Sequence, residues 1–189
     1  MTPTPIIILA GGRSARMGRD KLRLPFGGQS LLAAAVRRFS EVFPLVYVSA
    51  GEREVEDTGA PVLRDIFPGR GPLSGLHTAL TRLDCGGVFL TAADMPFSDP
   101  REAERLIALA LAGEYDAVAA AGDLDSRLEP LFAYYRKTLL AQADAAIRSE
   151  SYSLNALLRA ANTLRAPLAD AKTLLNINSP EDYAALLSL

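Results

Sequence analysis

The sequence predicts an α/β fold in which a mostly parallel sheet carries helices on both faces, a three-layer sandwich. Three observations predict it. Short apolar, β-branched runs alternate with longer helix-period runs, the pattern of consecutive βαβ units. Hydrophobic residues make up 49% of the 189 and charged residues 22%, which suits a chain that buries a core and excludes a disordered tail or a coiled coil. No repeat, low-complexity tract or long Gly/Ser linker interrupts the chain, so residues 1–189 read as one Rossmann-like domain.

The elements follow in order. Strands are expected at residues 6–9, 45–49, 62–64, 88–91 and 115–119, with another at 129–135. Helices are expected at 30–39, 73–83, 101–112, 137–147, 154–161 and 180–187. Ser30 and Ser179 are placed to cap the first and last of these, and Pro180-Glu-Asp182 fits a helix start, where the dipole favours negative charge. The Ala-rich stretch from Ala141 to Ala146 reads as small residues of a buried helix.

Charge narrows the function classes. Twenty Lys and Arg against 22 Asp and Glu remove the broad basic footprint of a nucleic-acid binder. Cys85 and His77 are the only residues of their types, which excludes a disulfide framework or a site built from clustered Cys and His. His77, inside a helix, reads as packing or solvent-facing, and Cys85 as an ordinary core or loop residue. The first residues, MTPTPIIILAGG, lack the basic start and apolar length of a secretory signal. No run approaches the ~20 apolar residues that span a bilayer. A cytoplasmic chain that binds neither membrane nor nucleic acid is expected.

The most informative segment runs Leu9-Ala-Gly-Gly-Arg-Ser-Ala-Arg-Met-Gly-Arg-Asp-Lys21, beginning where the first strand ends. In an open α/β sheet ligands sit beyond the carboxyl ends of the strands. Gly11 and Gly12 allow positive φ and close approach, exposing N–H groups to phosphate oxygens. Arg13, Arg16, Arg19 and Lys21 add four cationic donors. The spacing matches neither the P-loop nor Gly-x-Gly-x-x-Gly. Two acidic residues sit at strand ends: Asp94, after residues 88–91, and Asp65, after 62–64. Asp94 reads either as a turn cap before Pro96 or as a ligand for Mg²⁺, which takes one or two protein carboxylates and keeps water or phosphate as its other ligands. Asp65 reads as a turn residue, and Asn176 and Asn178 as loop caps.

Leu9-Ala-Gly-Gly-x-Ser-x-Arg-Met-Gly-x-Asp-Lys21 resembles the molybdenum cofactor guanylyltransferases, within the nucleotidyltransferase superfamily. Gly71-Pro-Leu-Ser-Gly75, Ala93-Asp-Met-Pro96 and Asn176-Ile-Asn-Ser-Pro-Glu-Asp-Tyr183 match the family's later motifs in order, so the resemblance spans nearly the whole chain. It implies the nucleotide-diphospho-sugar transferase type of fold and transfer of GMP from GTP to the terminal phosphate of molybdenum-loaded molybdopterin, with Mg²⁺ on Asp94. Lys21 and Arg16 would stabilise phosphate charge and Arg13 would hold the tail. Leu9, Ala10, Gly11, Gly12, Ser49 and Asp65 would meet the nucleotide, and Gly71, Gly75, Asn176 and Asn178 the pterin substrate. Proteins that deliver the cofactor are implied as partners. Ser49 departs from the asparagine common at this point, and Arg148 lies just before a stretch where the family places a basic residue. The residues alone leave open a cytidylyltransferase, a sugar-1-phosphate enzyme or a nucleotide-binding regulator.

Overall fold

A computed structural model describes residues 3–11, 20–122 and 127–187. The chain order is β1 (Ile6–Leu9), a 3₁₀ turn (Lys21–Arg23), β2 (Pro25–Phe26), β3 (Gln29–Ser30), α1 (Leu31–Ser40), β4 (Val46–Ser49), β5 (Val62–Leu63), α2 (Pro72–Arg82), β6 (Gly87–Ala92), α3 (Pro100–Ala112), β7 (Ala117–Ala121) and β8 (Leu128–Arg136). A 3₁₀ turn (Lys137–Leu139), α4 (Leu140–Arg148), α5 (Leu154–Ala160), β9 (Thr163–Pro167), a further 3₁₀ turn (Ala171–Leu174) and α6 (Pro180–Leu186) complete it.

Seven strands form one sheet in the order β5-β4-β1-β6-β8-β7-β9. All neighbouring pairs are parallel except those made by β8, which runs antiparallel to both β6 and β7. The alternation of side chains along β1 divides the core. Ile6 and Ile8 join the layer under α1 and α3, with Leu32, Phe39 and Leu106. Ile7 and Leu9 join the layer under α2, α4 and α5, with Leu76, Leu80 and Leu157. A strand whose four residues are all buried must have both faces covered, and helices supply that cover. Phe89 and Phe132 meet edge-to-face at 5.0 Å between β6 and β8.

The predicted elements are all present, with ends shifted by one or two residues. The helix expected at 137–147 opens as the 3₁₀ turn before α4. The Ala-rich helix is not buried: only Ala143 and Ile147 of α4 are, and Ala141 and Ala145 face water, so its alanines coat a surface as well as pack. Two features went unpredicted. β2 and β3 form a hairpin through Gly27 (φ 58°) and Gly28 (φ 81°), the paired positive φ of a type I′ turn. β9 is an edge strand paired with β7. The helix caps are as expected: Ser30 Oγ accepts from Ala33 N at 3.0 Å, and Ser179 with Asp182 forms a capping box on α6.

Candidate active site

The carboxyl ends of β1, β4, β5 and β6 point to one edge of the sheet, and a cavity of about 460 Å³ opens there. Leu9 and Gly11 form one wall, Ser49 to Arg53 another, and Asp65 with Gly69, Gly71 and Gly75 a third. Gly75 sits where the walls meet. A Cβ on it would lie 2.6 Å from Ser49 Oγ and 2.7 Å from Leu9 Cδ2, so only glycine lets α2 approach β1 and β4 so closely. Gly71 has φ 66° and serves as the N-cap of α2 without a side-chain cap. Gly11 corrects the expectation from sequence: it does not use positive φ, and a Cβ on it would meet nothing within 4 Å. Its contribution is vacant space in the cavity.

Asp65 lies against this cavity and accepts from Ser49 Oγ at 3.3 Å. Burial raises the Asp65 pKa above its ordinary value, opposed by the Ser49 and Ser74 hydroxyls and by the charge of Arg82. Ser49 therefore engages the cavity-side aspartate. Ala10 is buried and reaches the sheet through its backbone, donating to Ser49 O at 2.8 Å.

Lys21 and Asp94 form the second half of the site. Asp94 directly follows the Ala92-Ala93 end of β6, and Ala93 N donates to Leu9 O at 3.1 Å, placing the carboxylate beside the end of β1. Its side chain meets Lys21 Nζ in an ion pair rather than capping the turn before Pro96. Both side chains keep a little solvent contact, 14% for Lys21 and 15% for Asp94. Neither lines the cavity of Leu9 and Asp65; they flank it across the end of β1. The turn carrying Asp94 is pinned by Arg38 of α1, which donates to Met95 O (3.1 Å) and Ser98 Oγ (2.9 Å). Burial lowers the Arg38 pKa to about 10, so the guanidinium stays charged at neutral pH.

The segment before α6 closes the site from the other side. Ile177 N donates to Asp94 O at 2.9 Å, and Ile177 O lies 3.5 Å from Lys21 Nζ. Asn176 Oδ1 is buried with no hydrogen-bond partner, whereas Asn178 is exposed and gives its N–H to Asp182 (2.8 Å). That bond above all, with those from Ser179, holds the Asp182 carboxyl below its ordinary range. Gly12, Arg13 and Arg16 lie outside the described residues.

Three residues of this edge carried no signal in the sequence. Glu129, at the start of β8, has its pKa raised by burial and by the charge of Asp94, and its Oε1 accepts from Leu131 N at 2.9 Å. Arg70, between cavity-lining Gly69 and Gly71, lies 4.8 Å over the ring of Tyr152. Arg53 lines the cavity and binds Asp20. Arg148 is committed elsewhere, to Asp144 at 2.7 Å. His77 packs as expected, buried edge-on to Phe67 (5.1 Å) with Nε2 3.5 Å from Asp144.

A glycine-walled cavity beside a cation–carboxylate pair, at the carboxyl edge of a mostly parallel sheet, defines a nucleotide-binding α/β protein. Residues 6–166 match the MobA-like NTP transferase domain, and the chain belongs to that family of nucleotidyltransferases. Two relatives bear the name "probable molybdenum cofactor guanylyltransferase". The one from Carboxydothermus hydrogenoformans is 32% identical, with 97% of this chain and 95% of the relative covered. The one from Pelotomaculum thermopropionicum is 35% identical, with 93% and 88% covered. Among solved structures, the molybdopterin-guanine dinucleotide biosynthesis protein A of Archaeoglobus fulgidus shares the fold, with a TM-score of 0.82, 23% identity and 96% of each chain covered. Among the described residues no helix is long and apolar enough to cross a membrane.

Proposed function

We propose that this chain is a cytoplasmic molybdenum cofactor guanylyltransferase: the terminal phosphate of molybdenum-loaded molybdopterin attacks the α-phosphorus of GTP, forming the guanine dinucleotide and releasing pyrophosphate. The observation that carries the reading is the Lys21–Asp94 pair at the sheet edge beside the cavity of Leu9, Ser49, Asp65 and Gly75. The names borne by the two relatives support guanine as the base and molybdopterin as the acceptor.

The attacking phosphate is anionic near neutral pH, so the obstacle is gathering negative charge, and catalysis rests on positioning and electrostatics. Lys21 pairs with Asp94 and is within reach of a phosphate placed beside it. Leu9 and Gly11 border the space for the base, Asp65 offers an acceptor to base or ribose, and Gly75, expected from sequence on the pterin side, lines this same cavity. Asn176 and Asn178 border the side from which the pterin phosphate would approach, with Arg13 and Arg16 as further cations from the glycine-rich segment, whereas Gly71, expected from sequence on the pterin side, lines the cavity of Leu9 and Asp65.

The oxygens present suit Mg²⁺. Asp94 supplies a carboxylate, and Asn176 Oδ1 is an orphaned buried acceptor on the adjoining segment. Among the described residues no cluster of three His, Cys, Asp or Glu exists, which agrees with an ion that completes its shell with water and phosphate. When bound, Mg²⁺ would screen the triphosphate and polarise its α-phosphate. An oxygen-sensitive product calls for a protein that receives it.

The test is pyrophosphate release with GTP or CTP, each with and without molybdenum-loaded molybdopterin. Release that requires both GTP and pterin is expected. Preference for CTP overturns the base assignment, and tight GTP binding with no release under any condition indicates a regulator.

A further inference from the structure

The turn after β4 is unusually well fixed for an exposed connection. Gly51 takes φ 59°, Arg53 N donates to Ala50 O at 2.9 Å, and the Arg64 guanidinium donates to Arg53 O. These bonds aim the Arg53 side chain back across the carboxyl edge of the sheet, where it forms part of the cavity wall. Its Nη2 lies 2.5 Å from Asp20 Oδ1, and both side chains are about three-quarters buried. Nη1 is buried and without a hydrogen-bond partner among the described residues.

Asp20 is the residue before Lys21. The same Oδ1 accepts from Leu22 N at 3.0 Å and so caps the 3₁₀ turn Lys21–Arg23. That cap sets the backbone from which Lys21 reaches Asp94 and Ile177 O. A second contact to Asp20 among the described residues, from Arg23 Nε, is longer at 3.7 Å and comes from a side chain 68% exposed; a solvated pair of that kind fixes little. Among the described residues, the firm hold on Asp20 from outside its own turn is Arg53.

We infer that Arg53 is a positioning residue for Lys21: by clamping Asp20 it fixes the turn that delivers the lysine to the reacting phosphates, and because its guanidinium also walls the cavity, filling the cavity with nucleotide is linked to placing the lysine. The inference rests on the nucleotidyl-transfer reading proposed above. Misplacing a charge-stabilising group by about 1 Å costs as much as a hundredfold in rate, so the clamp is expected to act on turnover more than on nucleotide affinity.

The test is a set of double-mutant cycles read by single-turnover pyrophosphate release at saturating GTP. Arg53→Ala lowers the rate about tenfold with a smaller change in the KM for GTP, and Arg53→Lys recovers part of it. In a Lys21→Met background Arg53→Ala changes the rate less than about twofold, and Asp20→Asn with Arg53→Ala is no slower than the slower single variant. A full additional loss in the Lys21→Met background means that Arg53 contacts the nucleotide or supports the fold independently, and overturns the inference. A second readout needs no turnover: reductive methylation of Lys21, followed by mass spectrometry, speeds up in Arg53→Ala. An unchanged labelling rate overturns the clamp even in a chain that transfers nothing, whereas faster labelling in a wild-type-inactive chain sustains the clamp and sinks only the proposed reaction.

Discussion

The two halves of the sheet use glycine in opposite ways. On the β5-β4-β1 side, Gly11, Gly69 and Gly71 border the cavity, and a Cβ on any of them would meet nothing within 4 Å. On the β6-β8-β7 side, Gly87 at the start of β6 is surrounded: a Cβ there would press on the Tyr134 ring and lie 2.6 Å from Tyr135 O. Emptiness in the first half is, on the proposed reading, space for the nucleotide. Tightness in the second lets the nine-residue β8, with Phe132, Tyr134 and Tyr135 fully or almost fully buried, pack against its neighbours. Gly75 belongs to both kinds, since it lines the cavity yet touches Ser49 and Leu9. One half is therefore expected to fail in binding and the other in stability.

The sharpest contrast comes from charge at the junction. Lys21→Met and Asp94→Asn each lower GMP transfer by about 10²–10³, the scale of losing one charge-stabilising group at a reacting centre, with little change in thermal midpoint. Transfer rates and melting curves measured on the same preparations check this. Gly11→Val fills vacant space, so its melting temperature stays within about a degree of wild type while the GTP dissociation constant by calorimetry rises at least about tenfold. Equal GTP affinity would remove the cavity from the nucleotide site. Gly87→Ala reverses the pattern: overpacking of about 1–3 kcal/mol lowers the midpoint by roughly 5 °C at this chain length, while GTP affinity of the folded protein holds.

The smallest effect concerns pH. Burial and the nearby Asp94 charge raise the Glu129 pKa, so the folded chain holds that proton more firmly than the unfolded one. The destabilisation is complete above the raised folded-state value and fades as pH falls through it toward the unfolded value. Glu129→Gln, which keeps the acceptor for Leu131 N, is expected to raise the melting temperature by a degree or two at pH 8, about what half a kcal/mol gives at this size, and by less at pH 4. A larger gain at pH 4 contradicts the assignment.

Much of the fold was legible because its signals are local. Ile6-Ile-Ile-Leu9 runs through Ala10 into a glycine pair, Ser30 and Ser179 precede helix-period runs, and each became the element expected. The hairpin at Gly27-Gly28 went unpredicted although paired glycines are a turn signal, because its two-residue strands carry no alternation of their own. β9 was not legible either: Thr-Leu-Arg-Ala-Pro167 alternates weakly and ends in proline, which only an edge position tolerates. At the candidate site, Lys21, Asp94, Asp65 and Gly75 stood out through their place at strand ends and their motifs. Arg38, Arg53 and Glu129 did not, because their importance comes from partners 57, 33 and 35 residues away in sequence (Met95, Asp20 and Asp94). No local spacing encodes such contacts. Gly11 shows the limit of reading glycine as a conformational device, for it takes no positive φ and leaves open space at the cavity.

A crystal structure of this chain with GTP and Mg²⁺ tests the account most directly. The base is expected between Leu9 and Gly75, the ribose or base on Asp65, and the α-phosphate within hydrogen-bonding reach of Lys21 Nζ, now drawn away from Asp94. Triphosphate density on any other surface, with the Lys21–Asp94 pair intact, would contradict it.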